Sequence, residues 1–250
     1  MLFDIKQVRA LILLICFGIL LAACGNDNDP TPEATEPPPT PTPEPAARLA
    51  QAGEAMAALE SAGFSITRTG GTIYLDADQT LVLSTATGSY QAPESLQATI
   101  TVLGPGLALE MEAMQIGEER WLTNPLSGRW EVVPPEWGLD LLALFSEETG
   151  WRTILADHTS NVVQIGETTF GEATRLQYRA DIDGEQAGAL TAGITGNQDL
   201  TVDFWLDPAT NRIVQLQFET PSADPEPAQW RLVFDALDEP VIIEPPPVAE

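Results

Sequence analysis

His158 is the chain's only histidine, and it stands in Ala156-Asp157-His158-Thr159-Ser160. A base beside an acid and a hydroxyl is the raw material of a hydrolytic relay, in which imidazole takes the hydroxyl proton and a carboxylate orients the ring. Adjacency in sequence does not supply that geometry, and no Gly-x-Ser-x-Gly elbow occurs anywhere. The segment therefore reads as a loop. Asp181-Ile182-Asp183-Gly184-Glu185 offers the oxygens with which a calcium loop opens, but the remaining ligand spacing and the closing glutamate are absent. A solvated hairpin turn is the better reading. The two cysteines are Cys16 and Cys24, and the only lysine is Lys6, so beyond Cys24 the chain has one histidine, no thiol and no amine side chain. Disulfides, thiolate metal sites and most nucleophile and zinc chemistries lack their parts. No metal and no cofactor is expected. Carboxylate pairs remain as acid–base candidates, and nothing singles out one pair.

The cysteine with a chemical role is Cys24. Lys6 and Arg9 precede an unbroken apolar run from Ala10 to Leu21, and Leu21-Ala22-Ala23-Cys24-Gly25 follows at once. A positive start, a short apolar stretch and small residues describe a secretory signal peptide. The run falls short of the roughly 20 apolar residues that a bilayer crossing needs. Small residues leading directly into a cysteine resemble the bacterial lipobox. That resemblance implies that the Cys24 thiolate takes a diacylglyceryl group and that cleavage leaves Cys24 as the acylated first residue. The blander alternatives are an ordinary exported chain with a chance cysteine, or an uncleaved anchor. Two or more acyl chains on one residue hold a protein at a membrane stably, whereas one chain is marginal. The expected location is the extracytoplasmic face of the cell membrane.

Charge narrows the partners. The 250 residues carry 37 acids against 11 bases, a net charge of -26. Loss of Asp4, Lys6 and Arg9 with the leader leaves 36 acids and 9 bases, every one of these an arginine. Such a surface repels phosphate backbones, which excludes nucleic acid as a partner. It also disfavours lying flat on anionic headgroups, so an acyl anchor must do the holding. Solubility is a sufficient reason for the acidity, and a saline habitat is another.

The elements that must position any site follow from periodicity. Residues 1–23 read as the signal peptide and 24–45 as the lipidated cysteine plus a Pro/Thr/Glu-rich linker, with eight prolines between Pro30 and Pro45. Proline at that density favours extended polyproline II at about 3.1 Å per residue, a stand-off or a wall-crossing spacer. Residues 46–250 form the domain. Ala46 to Ala62 reads as a helix started by Thr42 and Pro43, with Leu49, Met56 and Leu59 at helical spacing and Gly63 as its C-terminal cap. From Phe64 the apolar period becomes two, as in Leu96, Ala98, Ile100 and Val102, or Val214, Leu216 and Phe218. That alternation marks antiparallel strands with one wet and one apolar face, about ten of them, with Trp205 breaking the polar side of its strand. Leu139 to about Glu148 reads as a helix, Trp151 to Leu155 as a second short one, and Gly184 to Ile194 as a weaker one, because of its glycines. The class is α+β: a large antiparallel sheet with a few helices over its apolar face. A sheet of that size curls. Its concave face is either fully plugged by those helices or left with a cavity, and periodicity does not decide which.

Trp121-Leu122-Thr123-Asn124-Pro125-Leu126-Ser127-Gly128-Arg129-Trp130 is similar to a segment of the LppX/LprAFG-type lipoproteins, in which an aromatic strand passes through a Pro-x-[ST]-Gly turn to tryptophan. Phe145-Ser146-Glu147-Glu148-Thr149-Gly150 resembles that family's helix exit, and Ile165-Gly166-Glu167 with Gly171-Glu172-Ala173-Thr174 its next hairpin. Leu190-Thr191-Ala192-Gly193, Phe204-Trp205-Leu206-Asp207 and Pro240-Val241-Ile242-Ile243 fit its later strands and final strand. The correspondence runs in order from about Ala46 to Pro245. It implies a LolA-like half-barrel: a half-open antiparallel sheet around helices, enclosing an apolar cavity. It also implies a multi-acyl lipid or glycolipid ligand carried across the cell envelope by a monomer that works with an envelope transport partner, without covalent catalysis. The long linker and the extreme acidity depart from the family pattern. Leu96, Ile100, Leu109, Leu142, Phe145, Leu176, Phe204, Leu216, Phe218 and Leu232 are the candidate cavity residues. The alternative is an envelope sensor or scaffold module with the same fold and a filled core, in which those residues simply pack.

Overall fold

The structure is a computed structural model, described here for residues 44–74, 79–104, 106–133, 142–191 and 197–247. The leader, Cys24 and nearly all of the linker lie outside these residues, as do 139–141 of the expected Leu-rich helix and 192–196 of the weaker one.

Helix α1 (Pro45–Ala57) starts with proline at its first position, where the missing N–H costs nothing. It buries Leu49, Ala52, Gly53 and Met56, one stripe three or four residues apart. The helix ends five residues before the expected Ala62. Ala62 and Gly63 belong instead to the first strand, and Gly63 caps nothing. A side chain at Gly63 would stand 2.2 Å from the Asp235 carboxylate of the neighbouring strand. That carboxylate is the tip of a flexible side chain, and the nearest backbone atom, the Asp235 carbonyl oxygen, would be 3.4 Å away, an ordinary contact.

Eleven strands among the described residues form one antiparallel sheet. They are β1 (Ser61–Gly70), β2 (Val82–Gln91), β3 (Ser95–Gly104), β4 (Leu107–Ile116), β5 (Glu119–Thr123), β6 (Trp130–Val132), β7 (Thr159–Phe170), β8 (Ala173–Ile182), β9 (Leu200–Leu206), β10 (Ile213–Thr220) and β11 (Ala228–Asp235). Their spatial order is β6-β5-β4-β3-β2-β1-β11-β10-β9-β8-β7. Two meanders, β1–β6 and β7–β11, thus meet along one seam, where β1 pairs with β11 from Gly63↔Asp235 to Gly70↔Ala228. The sheet is open and curved, with the helices on its inner face, as the alternation and the resemblance led one to expect.

Helix α2 (Trp151–Asp157) lies against α1, and the two touch where α1 carries Gly53. A side chain there would stand 2.7 Å from the Trp151 carbonyl oxygen. Glu54 and Arg152 close the contact at its rim with a 2.9 Å ion pair. Helix α3 (Gly184–Leu190) follows β8. The described part of the expected Leu-rich helix is a single 3-10 turn, Ala143–Phe145. It stops at Ser146, whose extended backbone frees its hydroxyl to accept the Glu148 and Thr149 N–H groups.

The expected final strand is also replaced. Val241 and Ile243 pack with Met114, Trp121 and Trp130 in a satellite cluster, and the Ile243 N–H donates to the Gln91 side chain at 2.9 Å. The segment is a strap across the outer face rather than a twelfth strand. Pro240 and Pro245 lack the N–H that a ladder needs.

Candidate functional site

Strand register decides which side chains share a face, because successive residues point to opposite sides. Starting in the first meander, Ile100 pairs with Met111 on β4 and with Ala86 on β2, and Ala86 pairs with Ile66 on β1. Across the seam Ile66 pairs with Leu232, Leu232 with Leu216, Leu216 with Phe204, and Phe204 with Tyr178. One apolar row therefore crosses eight neighbouring strands without a break. Leu96, Leu109, Leu176 and Phe218 lie on this same face, two or more residues along their strands. All eight strand-borne candidates are thus brought together on the inner side.

The other two come from above. Phe145 of the 3-10 turn stacks on Tyr90 with ring centroids 3.6 Å apart and planes 6° from parallel, which fixes the turn over β2. Leu142, the residue before that turn, is half-buried.

The candidates differ in how they are covered. Phe204, Leu216, Phe218 and Leu232 belong to the main core with Leu49 and Met56 of α1 and Trp151, Ile154 and Leu155 of α2. Trp151 is fully buried and meets Phe234 edge-on at 5.7 Å. Ile100, Leu176 and Phe145 sit at the margin of that core. Leu96 is buried and Leu109 half-buried, and both lie outside it. The second meander's inner face is therefore packed by α1 and α2, whereas Phe145 is the described helical residue stacked over the first.

Two cavities stand out among the described residues. One, of about 10 Å³, lies beside β4 and β5 near Met114, Gln115 and Trp121, room for about one water at most. The other, of about 550 Å³, is an open groove on the opposite side of the sheet from the row above, bordered by Gln215, Arg231 and Val233 among others. Neither is bordered by any of the ten candidate residues.

The inner face has few polar groups. Burial pushes the Tyr90 hydroxyl pKa up. It does the same for Tyr178, opposed by the nearby charge of Arg48, so both stay neutral hydroxyls. Gln115 and Arg120, paired in register, put polar groups on this face at its β4–β5 end. The strand reading passed over them because each looks like an ordinary wet-face residue of a hairpin.

The chemistry candidates resolve simply. His158 faces the Asp183 carboxylate, 3.7 Å away and partly exposed, and no hydroxyl hydrogen-bonds its ring among the described residues. Asp181 accepts from Thr201 at 2.6 Å and Asn161 at 2.8 Å, bonds that hold its carboxyl below the usual range. Asp183 accepts the Gln186 N–H at the start of α3. The acidic stretch is therefore a strand end and helix start, not the solvated hairpin turn expected, and no cluster suited to a metal occurs among the described residues.

A family model described as LppX_LprAFG lipoprotein matches residues 44–243. Among solved structures, LprF from Mycobacterium bovis is similar at 15% identity, with a TM-score of 0.60, covering 84% of this chain and 100% of that one. The Mycobacterium tuberculosis lipoprotein LppX is similar at 16% identity and a TM-score of 0.56, covering 80% and 98%. No curated protein matches the chain. At these identities the structural likeness speaks for the fold.

Proposed function

We propose that this chain, which belongs to the LppX_LprAFG lipoprotein family, binds the acyl part of a multi-acyl lipid or glycolipid along its inner apolar face. It carries that ligand across the cell envelope without covalent catalysis. The observation behind this reading is the apolar row that runs unbroken across eight strands and both meanders. Two of its eight residues, Ala86 and Met111, lie outside the core that α1 and α2 pack, and Ile100 sits at its margin. Sequestering an alkyl chain from water contributes about 0.8 kcal/mol per methylene, so a short stretch of such a face holds a lipid firmly. Exchange with a bilayer is close to neutral on the same scale, which suits a carrier that must also release. The domain boundaries expected from the sequence belong to this reading, with Cys24 as the acylated residue, 24–45 as the tether, and a monomer held at the outer side of the cell membrane.

The test is native mass spectrometry of the full chain purified from its own membrane. A co-purifying lipid, lost in Ile100→Trp while the fold is retained, is the expected result. A well-folded protein that is always empty would sink the carrier reading. One observation favours a second reading, an envelope sensor or scaffold with a filled interior. Phe204, Leu216, Phe218 and Leu232 are locked in the core, and neither cavity touches the candidate residues. Failure to take up a hydrophobic fluorescent probe, together with specific capture of an envelope protein, would favour it.

A further inference from the structure

We infer that the open groove on the outer face of the second meander is a binding site for a small amphipathic anion, a phosphate or carboxylate on a compact apolar body. Its volume of about 550 Å³ falls in the range of small-molecule sites, roughly 300–1,000 Å³. Its floor is built across strands, where Val233 of β11 pairs with Gln215 of β10. The apolar part of the wall comes from Phe170, Val214 and Val233, with Phe234 and Leu237 at the end where the groove meets the core. Phe170 is held in place edge-on to the buried Trp205, 6.1 Å away.

Three of the nine arginines beyond the leader, Arg175, Arg212 and Arg231, border this one groove, against two carboxylates, Asp207 and Asp235. With Asp238, which pairs with Arg212, the arginines and carboxylates here are matched three to three, an even balance on a chain of net charge -26. Arg175 is occupied by Asp207 at 2.7 Å, and Arg212 is occupied by Asp238. Arg231 has neither ion pair nor hydrogen bond among the described residues and is exposed, a guanidinium open to an incoming anion in a two-pronged geometry. Gln215, 6% exposed, also borders the groove and adds a polar side chain to its floor. An open guanidinium, a neighbouring amide side chain and an apolar wall together fit an anion with an apolar body.

The inference does not depend on the lipid reading and is tested separately, by titrating phenyl phosphate, inorganic phosphate and phenol into the full chain in calorimetry at low ionic strength. One-to-one binding of phenyl phosphate is expected, weakened about tenfold in Arg231→Gln and reduced by salt. Gln215→Leu should weaken it too, and Ile100→Trp on the inner face should leave it unchanged. Inorganic phosphate and phenol should each bind far more weakly. No saturable binding of phenyl phosphate would overturn the proposal, as would affinity unchanged in an Arg231→Gln variant with wild-type circular dichroism. Equal binding of bare phosphate or of phenol would likewise overturn it, since the site would then not read the anion and the apolar body together.

Discussion

Asp238 ties three parts of the chain together. It accepts the Glu60 N–H at 2.9 Å and pairs with Arg212, so the end of α1, the β10 entry and the chain after β11 share one carboxylate. The Glu60 N–H is the main cause of its lowered pKa, with Arg212 adding to it. A carboxyl lowered in the folded state stabilises the fold above its unfolded value, near pH 3.9, and that contribution is lost as pH falls through the folded value. Asp238→Asn should therefore lower stability at neutral pH by about 1 kcal/mol. The gap between variant and wild type should close at strongly acidic pH in urea titrations, and a gap that widened there would contradict the assignment. Trp151 gives the larger effect: fully buried between α1 and the sheet, its replacement by alanine should cost about 3–5 kcal/mol. At this scale the sequence is legible where a side chain obeys a period and silent where it acts through distant partners. Ile100 and Leu216 announce their face by alternation. Gln215 and Arg231 look like ordinary outward residues until the register of separate strands sets them around one groove.

Helices α1 and α2 cross closely because Gly53 offers no side chain to the Trp151 carbonyl. Gly53→Val should push them apart and lower stability by about 1–3 kcal/mol, read as a lower urea midpoint with the slope unchanged. An unaffected midpoint would mean that the contact is softer than its geometry. The strap Val241–Ile243 makes a comparable promise on the outer face. Ile243→Ala should cost about 2 kcal/mol and raise the solvent exposure of Trp121, read by acrylamide quenching. Strand alternation was readable because one face is wet and the other buried. The end of α1 was not, since an alanine-rich run carries no stop signal and Gly63 mimics a cap while serving a strand contact. The strap is illegible for a related reason: Val241 and Ile243 show a strand's period, but nothing in that period says whether a ladder or a sheet face receives them.

Net charge acts on the molecule as a whole. With -26 on 250 residues and only a few arginines paired across the surface, self-repulsion opposes the folded state. Screening weakens it, so raising sodium chloride from about 0.01 M to 0.15 M, which shortens the Debye length from about 30 Å to 8 Å, should raise Tm. A falling Tm would show that the ion pairs outweigh the repulsion. The seam between β1 and β11 works on the same scale. Every other strand pairing joins neighbours in the chain, whereas Gly63 must wait for Asp235. A chain emerging from its N-terminal end can thus zip its first hairpins early, but β1 keeps an unsatisfied edge until β11 has arrived. A partly delivered chain is a template for mispairing, and the interval between the first strand and the eleventh sets how long a holding factor would need to stay in place.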